Sequence, residues 1–148
     1  MYEVEVDEIT TKAPSSLIFS VEVKEFLITD RHTAEVTTIL RCNKSESITV
    51  GVRVNLPDPW VSNGGSPQIV LIPPKTYPNV ARNSDLRWLP ERDTFSRPLD
   101  VKSTKIDPSS SIEISYEVWA LPNDKRLGIQ PGRYKFSRDY GEFIMNIF

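Results

Sequence analysis

The sequence predicts an all-β protein, an antiparallel sandwich carrying two long proline-rich loops. Three observations predict it. Apolar and polar residues alternate with a period of two in several stretches, the pattern of strands buried on one face. Turn-forming clusters separate these stretches at intervals of about 8–12 residues, the spacing of sandwiches and barrels. The 12 prolines break the chain so often that only residues 15–56 have room for much uninterrupted structure.

Each element has its own signal. Phe19, Val21 and Val23 alternate with Ser20, Glu22 and Lys24, giving a half-buried strand. The parity then shifts to Phe26 and Ile28, so a bulge or bend is expected between them. Residues 29–32 read as a turn. Ala34, Val36, Thr38, Leu40 and Cys42 then alternate with Glu35, Thr37, Ile39 and Arg41. A helix could also gather Val36, Ile39 and Leu40, but so many β-branched residues favour a strand. After a polar turn at 43–47, Ile48, Val50, Val52 and Val54 make the next strand. Residues 55–67 form the first loop, with Pro57 and Pro59 as a stiff shoulder and Gly64-Gly65 as a flexible tip.

A short apolar strand over 68–72 ends at Pro73-Pro74, and residues 73–85 form the second loop. Further strands are expected at 86–89, around Trp88, and at 99–106. The clearest alternation sets Ile112, Ile114, Tyr116, Val118 and Ala120 against Glu113, Ser115, Glu117 and Trp119. Turns at 122–124 and 129–132 lead to a strand with Tyr134 and Phe136 on one face. A last turn at 139–141 leads to Phe143, Met145 and Ile147. With no internal repeat, low-complexity tract or linker, residues 1–148 are expected to form one domain.

Composition narrows the function. The chain has 148 residues, one histidine (His32) and one cysteine (Cys42). One cysteine forms no internal disulfide, and a His/Cys metal cluster needs more than one of each. No metal or other cofactor is expected. The net charge of -2 lacks the basic excess of a nucleic-acid binder. No apolar run reaches the length of a membrane span. The acidic start, with Glu3, Glu5, Asp7 and Glu8, lacks the basic and apolar regions of a signal peptide. The chain is therefore expected to be cytoplasmic, or the mature part of an exported protein.

Residues Ile129-Gln130-Pro131-Gly132-Arg133-Tyr134-Lys135-Phe136 have the form aliphatic-x-Pro-Gly-x-Tyr-x-aromatic. With Ile106-Asp107-Pro108 and the alternating strand through Trp119, they resemble the last strands of immunoglobulin-like sandwiches. The early strand ending at Asn43-Lys44-Ser45, the central Trp and the closing hairpin are similar to BsuPI-type intracellular proteinase inhibitors and to small prokaryotic immunoglobulin-like domains. The resemblance covers scattered motifs within 34–140. It implies an immunoglobulin-like β-sandwich, and proteinase inhibition as one activity, with the 55–67 loop offered to a protease. The chain departs from that pattern in its two proline-rich excursions and in the residues before the first matched strand. The resemblance therefore carries over no inhibitory residue.

His32 lacks a serine on a nucleophile elbow and reads as a turn residue. Cys42 shares the apolar parity of Val36 and Leu40 and reads as core. Glu3, Glu5 and Asp7 share strand parity, as a solvated acidic edge or a surface for a cation or basic partner. Arg82, Arg87, Arg92 and Arg97 are interleaved with Trp88 and Phe95, but five-residue spacing matches no single face. Trp60 and Tyr77 lie in the proline-rich loops, where a stiffly held aromatic is either a partner anchor or a small satellite core. Trp119 sits on the polar parity of its strand and marks a second apolar layer or a sticky face.

The expectation is a non-enzymatic interaction module. It binds a partner protein through Trp60 and Tyr77, or along an edge strand. The alternatives are a structural subunit of a viral or surface assembly, with the acidic N-terminal strand pairing onto the next copy, and a proteinase inhibitor.

Overall fold

The computed structural model describes residues 1–12, 16–29, 32–50, 60–63, 68–74, 104–120, 129–138 and 140–148. In chain order the strands are β1 (Tyr2–Thr11), β2 (Leu17–Glu25), β3 (Leu27–Ile28), β4 (Glu35–Cys42), β5 (Ile48–Val50), β6 (Trp60–Val61), β7 (Ile69–Ile72), β8 (Thr104–Ile106), β9 (Ser111–Ala120), β10 (Gly132–Ser137) and β11 (Gly141–Ile147). The described residues contain no helix, so none is long and apolar enough to cross a membrane. Every pairing between strands is antiparallel. The expected strands at 86–89 and 99–103 lie outside the described residues, as do Tyr77, Trp88, Phe95 and the four arginines of that stretch.

One sheet has the order β2-β4-β9-β7-β6 and a second the order β10-β11-β1-β3, with β5 and β8 forming a separate ribbon. Side-chain alternation explains the first sheet. Phe19 lies opposite Leu40, which lies opposite Ile112; Val23, Val36 and Tyr116 form another such row. These rows share the inner face, because a strand's period of two holds every second residue on one side. The parity shift near Phe26 is a real irregularity: the β2–β4 register slips between Val23 and Glu25, and β3 begins at Leu27.

That bend lets one stretch of chain serve both sheets. β3 pairs with the start of β1, Tyr2 opposite Ile28, and Val4 N–H continues the ladder by donating to the Phe26 carbonyl at 2.9 Å. The two strands then part, β1 towards β11 and β2 towards β4. They meet again where Phe19 N–H donates to Thr11 Oγ1 at 3.0 Å. On the opposite flank Asn63 N–H, just past β6, donates to the Lys135 carbonyl of β10 at 2.7 Å. The two sheets are therefore tied at both flanks around one core.

That core draws on both sheets: Phe19, Val36, Leu40, Leu71 and Val118 from the first, Val4, Tyr134, Phe136, Phe143 and Met145 from the second. Aromatic rings bridge them. Phe19 stacks on Trp60 at 5.8 Å between centroids, Trp60 meets Phe143 at 5.5 Å, and Phe143 stacks on Phe136 at 5.1 Å. Each such pair adds roughly 0.5–1.5 kcal/mol beyond its area burial. Gly141 makes the packing possible, because a Cβ there would overlap the Phe19 ring.

A second apolar layer lies on the other face of β7 and β9. Val70 is opposite Trp119, and Val70, Ile72 and Trp119 are all fully buried although their parity points away from the main core. Trp119 is thus a covered residue and not a sticky face. Its Nε1–H donates to Glu117 Oε2 at 3.2 Å, which supplies a partner for each of two buried polar groups.

Candidate functional site

Trp60 does not stand on a loop. It opens β6 opposite Leu71, is 6 % exposed and packs into the aromatic cluster. Of the two roles expected for this residue, the indole is buried in the core, where it forms part of a cavity wall.

That cavity, of about 50 Å³, is a mainly apolar recess. Strands from both flanks of the first sheet build it. β2 supplies Phe19, β4 supplies Thr38 and Leu40, and β9 supplies Ile112, Ile114 and Tyr116. Trp60 comes from the far edge, and Arg138 and Tyr140 come from the turn between β10 and β11. Ile112, Ile114, Arg138 and Tyr140 are only half-buried, so the recess opens to the surface on their side. In β9 the ladder to β7 covers only residues 117–120, which leaves Ile112 and Ile114 with β4 as their one paired neighbour among the described residues.

The polar groups of this recess are few. Thr38 Oγ1 donates weakly to the Ile114 carbonyl at 3.5 Å. The Arg138 guanidinium lies over the Trp60 ring, 4.8 Å from its centroid, a cation–π contact that places positive charge at the wall. Trp60 Nε1–H is buried with no hydrogen-bond partner among the described residues. An orphaned buried donor normally costs about 1–3 kcal/mol. No carboxylate lines the recess among the described residues.

The acidic strand has a different environment. Asp7 and Glu8 face Arg133 across the sheet at 3.4 and 3.0 Å, and Asn146 Nδ2 donates to Asp7 Oδ2 at 3.0 Å. Glu8 adopts a left-handed backbone, φ 49°, where the β1–β11 register slips between Asp7 and Thr10. Nearby, Lys12 Nζ lies 3.3 Å from Glu142 Oε2 and donates to Ser137 Oγ at 2.6 Å. The hydrogen bond from Lys12 holds the Glu142 carboxyl below its ordinary range, with Lys135 adding attraction. These exposed pairs form a solvated face and contribute little individually. β1 spends this length pairing with β11 of its own chain.

The remaining candidates fall where packing puts them. Cys42 is fully buried opposite Leu17, and its thiol points a weak donor at the Glu46 carbonyl, 3.4 Å away. His32 is exposed and closes the turn: its N–H donates to Thr29 Oγ1 at 3.2 Å, and Thr29 N–H donates to its carbonyl at 2.8 Å. Among the described residues, no three His, Cys, Asp or Glu side chains group closely enough to hold a metal ion.

Tyr140 and Arg138 were missed as site residues by sequence reasoning. Their only signal was position in a short turn, and nothing local says that Trp60, nearly 80 residues earlier, lies beside it. No protein-family model matches the chain, and no curated protein or solved structure compared with it does either.

Proposed function

We propose that this chain is a non-enzymatic interaction module on an immunoglobulin-like sandwich, and that the Trp60 recess receives an apolar side chain of a partner protein. The observation that carries the reading is the half-open recess itself. Rigid strands hold its aromatic and aliphatic walls, and its few polar groups do not converge as an acid, base and nucleophile would.

Two features support the immunoglobulin-like part. The order β2-β4-β9-β7 is that of strands A, B, E and D in such sandwiches. Tyr134, near the start of β10, donates its hydroxyl to the Gln130 carbonyl at 2.7 Å, as in the tyrosine corner of those domains. The antiparallel placement of β1 between β11 and β3 is this chain's own addition.

The experiment is site-specific photocrosslinking. A photoreactive residue replacing Tyr140, at the mouth, is expected to capture a partner. The same probe at Glu113, on the opposite face of the sheet, is not. Equal capture at both positions, or capture at Tyr140 that survives filling the recess with Ile112→Trp, would overturn the reading.

A further inference from the structure

We propose that Asn63 is a site of spontaneous deamidation, and that its isoaspartate product loosens β6. This modification is independent of the recess and of any ligand bound there.

The first requirement is chemical. An asparagine deamidates when the backbone nitrogen of the next residue attacks the asparagine side-chain carbonyl carbon, and a side chain on that next residue crowds the attack. Asn63 alone among the asparagines is followed by glycine. Gly64 has no Cβ to crowd its nitrogen, and glycine restricts the backbone least of all residues. The Gly64 nitrogen gives up its proton and forms a bond to Asn63 Cγ. The Cγ–Nδ2 bond breaks, Nδ2 departs as ammonia, and a cyclic succinimide closes. Water then opens the ring. Cleavage at the side-chain carbonyl leaves aspartate. Cleavage at the main-chain carbonyl leaves isoaspartate, with the chain running through Cβ and Cγ. Water is consumed and ammonia released, and nothing is oxidised or reduced.

The second requirement is access. Asn63 is exposed, in a bend directly after β6. Its backbone N–H is spent on the Lys135 carbonyl, but its carboxamide makes no hydrogen bond among the described residues. The other described asparagines lack one requirement or both. Asn43 is also exposed, in a turn, but Lys44 follows it. Asn146 lies within β11 before Ile147, and its carboxamide is held at both ends. Its Nδ2 donates to Asp7 Oδ2 at 3.0 Å, and its Oδ1 accepts from Arg133 at 3.2 Å.

The position gives the reaction a consequence. Ser62 is fully buried, its N–H donates to the Ile69 carbonyl at 2.9 Å, and Ile69 N–H donates back to Ser62 Oγ at 2.9 Å. Gln68 Nε2 donates to the Ser62 carbonyl at 3.2 Å. The chain is thus pinned at 62 and again at 68–69. Isoaspartate adds a main-chain carbon between those pins, and a carboxylate with it. It does so at the residue whose N–H ties β6 to β10. With only Trp60 and Val61 in β6, a disturbance there opens the strand locally and leaves the centre of the sheet closed.

The test ages the whole chain in warm, mildly alkaline buffer and follows it by peptide mapping, with electron-transfer fragmentation to tell isoaspartate from aspartate. Conversion at Asn63 is expected to run at least roughly tenfold faster than at Asn43 or Asn146, with isoaspartate the larger product. Gly64→Ala should slow it by a similar factor. Asn63→Gln, whose longer side chain closes a ring poorly, should abolish it. Hydrogen exchange of the aged chain should quicken across residues 60–63 and stay unchanged in β4, while the Asn63→Gln chain aged alongside should show neither change. If Asn63 converts no faster than Asn43 in the folded chain, the proposal fails, and rapid conversion in urea alone would show that the fold shields the site. If Asn63 converts and exchange at 60–63 is unaltered, the modification site stands and the loosening of β6 is overturned.

Discussion

Gly141 shows how much one residue can decide. It stands at the start of β11, and a Cβ built there would overlap the Phe19 ring, with Cε1 2.7 Å away. That ring packs against Trp60 and Phe143, so any withdrawal disturbs both contacts. Gly141→Ala is expected to destabilise the protein by roughly 1–3 kcal/mol, the range for overpacking a well-filled core. Urea unfolding measures it, and Phe19→Leu in the same chain should recover part of the loss, because the two positions share one clash. The glycine's role was not legible in the sequence, and the burial of Trp60 was legible only as one of two alternatives. Asp139-Tyr140-Gly141 reads as a turn, but the constraint on its glycine comes from a ring more than 120 residues away. Trp60 sits between prolines and a glycine pair, a local signature of a loop. Its pairing with Leu71 is what makes it a strand residue.

At the scale of elements, alternation carried most of the information. β2, β4, β9 and β11 fall where the period of two places them, and the break near Phe26 became the bulge and bend that hand the chain from one sheet to the other. Alternation failed where a strand is buried on both faces. β7 is apolar at every position, and the Trp119 side of β9 reads as solvent-facing until its second layer is seen. Two predictions belong here. Tyr134→Phe removes the hydroxyl that closes the turn into β10 and leaves the Gln130 carbonyl without that donor. It should cost about 1 kcal/mol, read as a lower urea midpoint with an unchanged slope. The β1–β11–β10 face has a pH signature. Hydrogen bonding from Lys12 lowers the Glu142 pKa in the folded state. The stabilisation is therefore present above the unfolded-state value of about 4.3 and is lost as pH falls through the lower folded value. Carboxyl NMR titration should place Glu142 below an ordinary glutamate, and Lys12→Ala should raise it.

For the molecule as a whole, the centre of the first sheet and its β6 flank are held with different strength, and stability should follow that difference. β4 is paired along nearly its full length on both sides, to β2 and to β9, and carries Val36, Leu40 and Cys42 into the core. β6 is two residues long, paired to β7 on one side and, among the described residues, tied to β10 through the Asn63–Lys135 backbone hydrogen bond. Opening β6 therefore breaks few bonds, whereas opening β4 unzips the first sheet. Native-state hydrogen exchange should find the slowest amides on β4, at Val36 to Leu40, approaching the global unfolding free energy. Amides of β6 and Asn63 should exchange far sooner, through local opening. This gradient bears on the proposed role, because Trp60 lies on the more weakly held flank and forms a wall of the recess. A ligand that seats against Trp60 stabilises the closed form and must slow exchange at β6 and Asn63 more than at β4. Uniform protection across both strands on adding N-acetyl-leucine would instead mean that β6 opens only with the whole molecule, and that the flank is as firmly held as the centre.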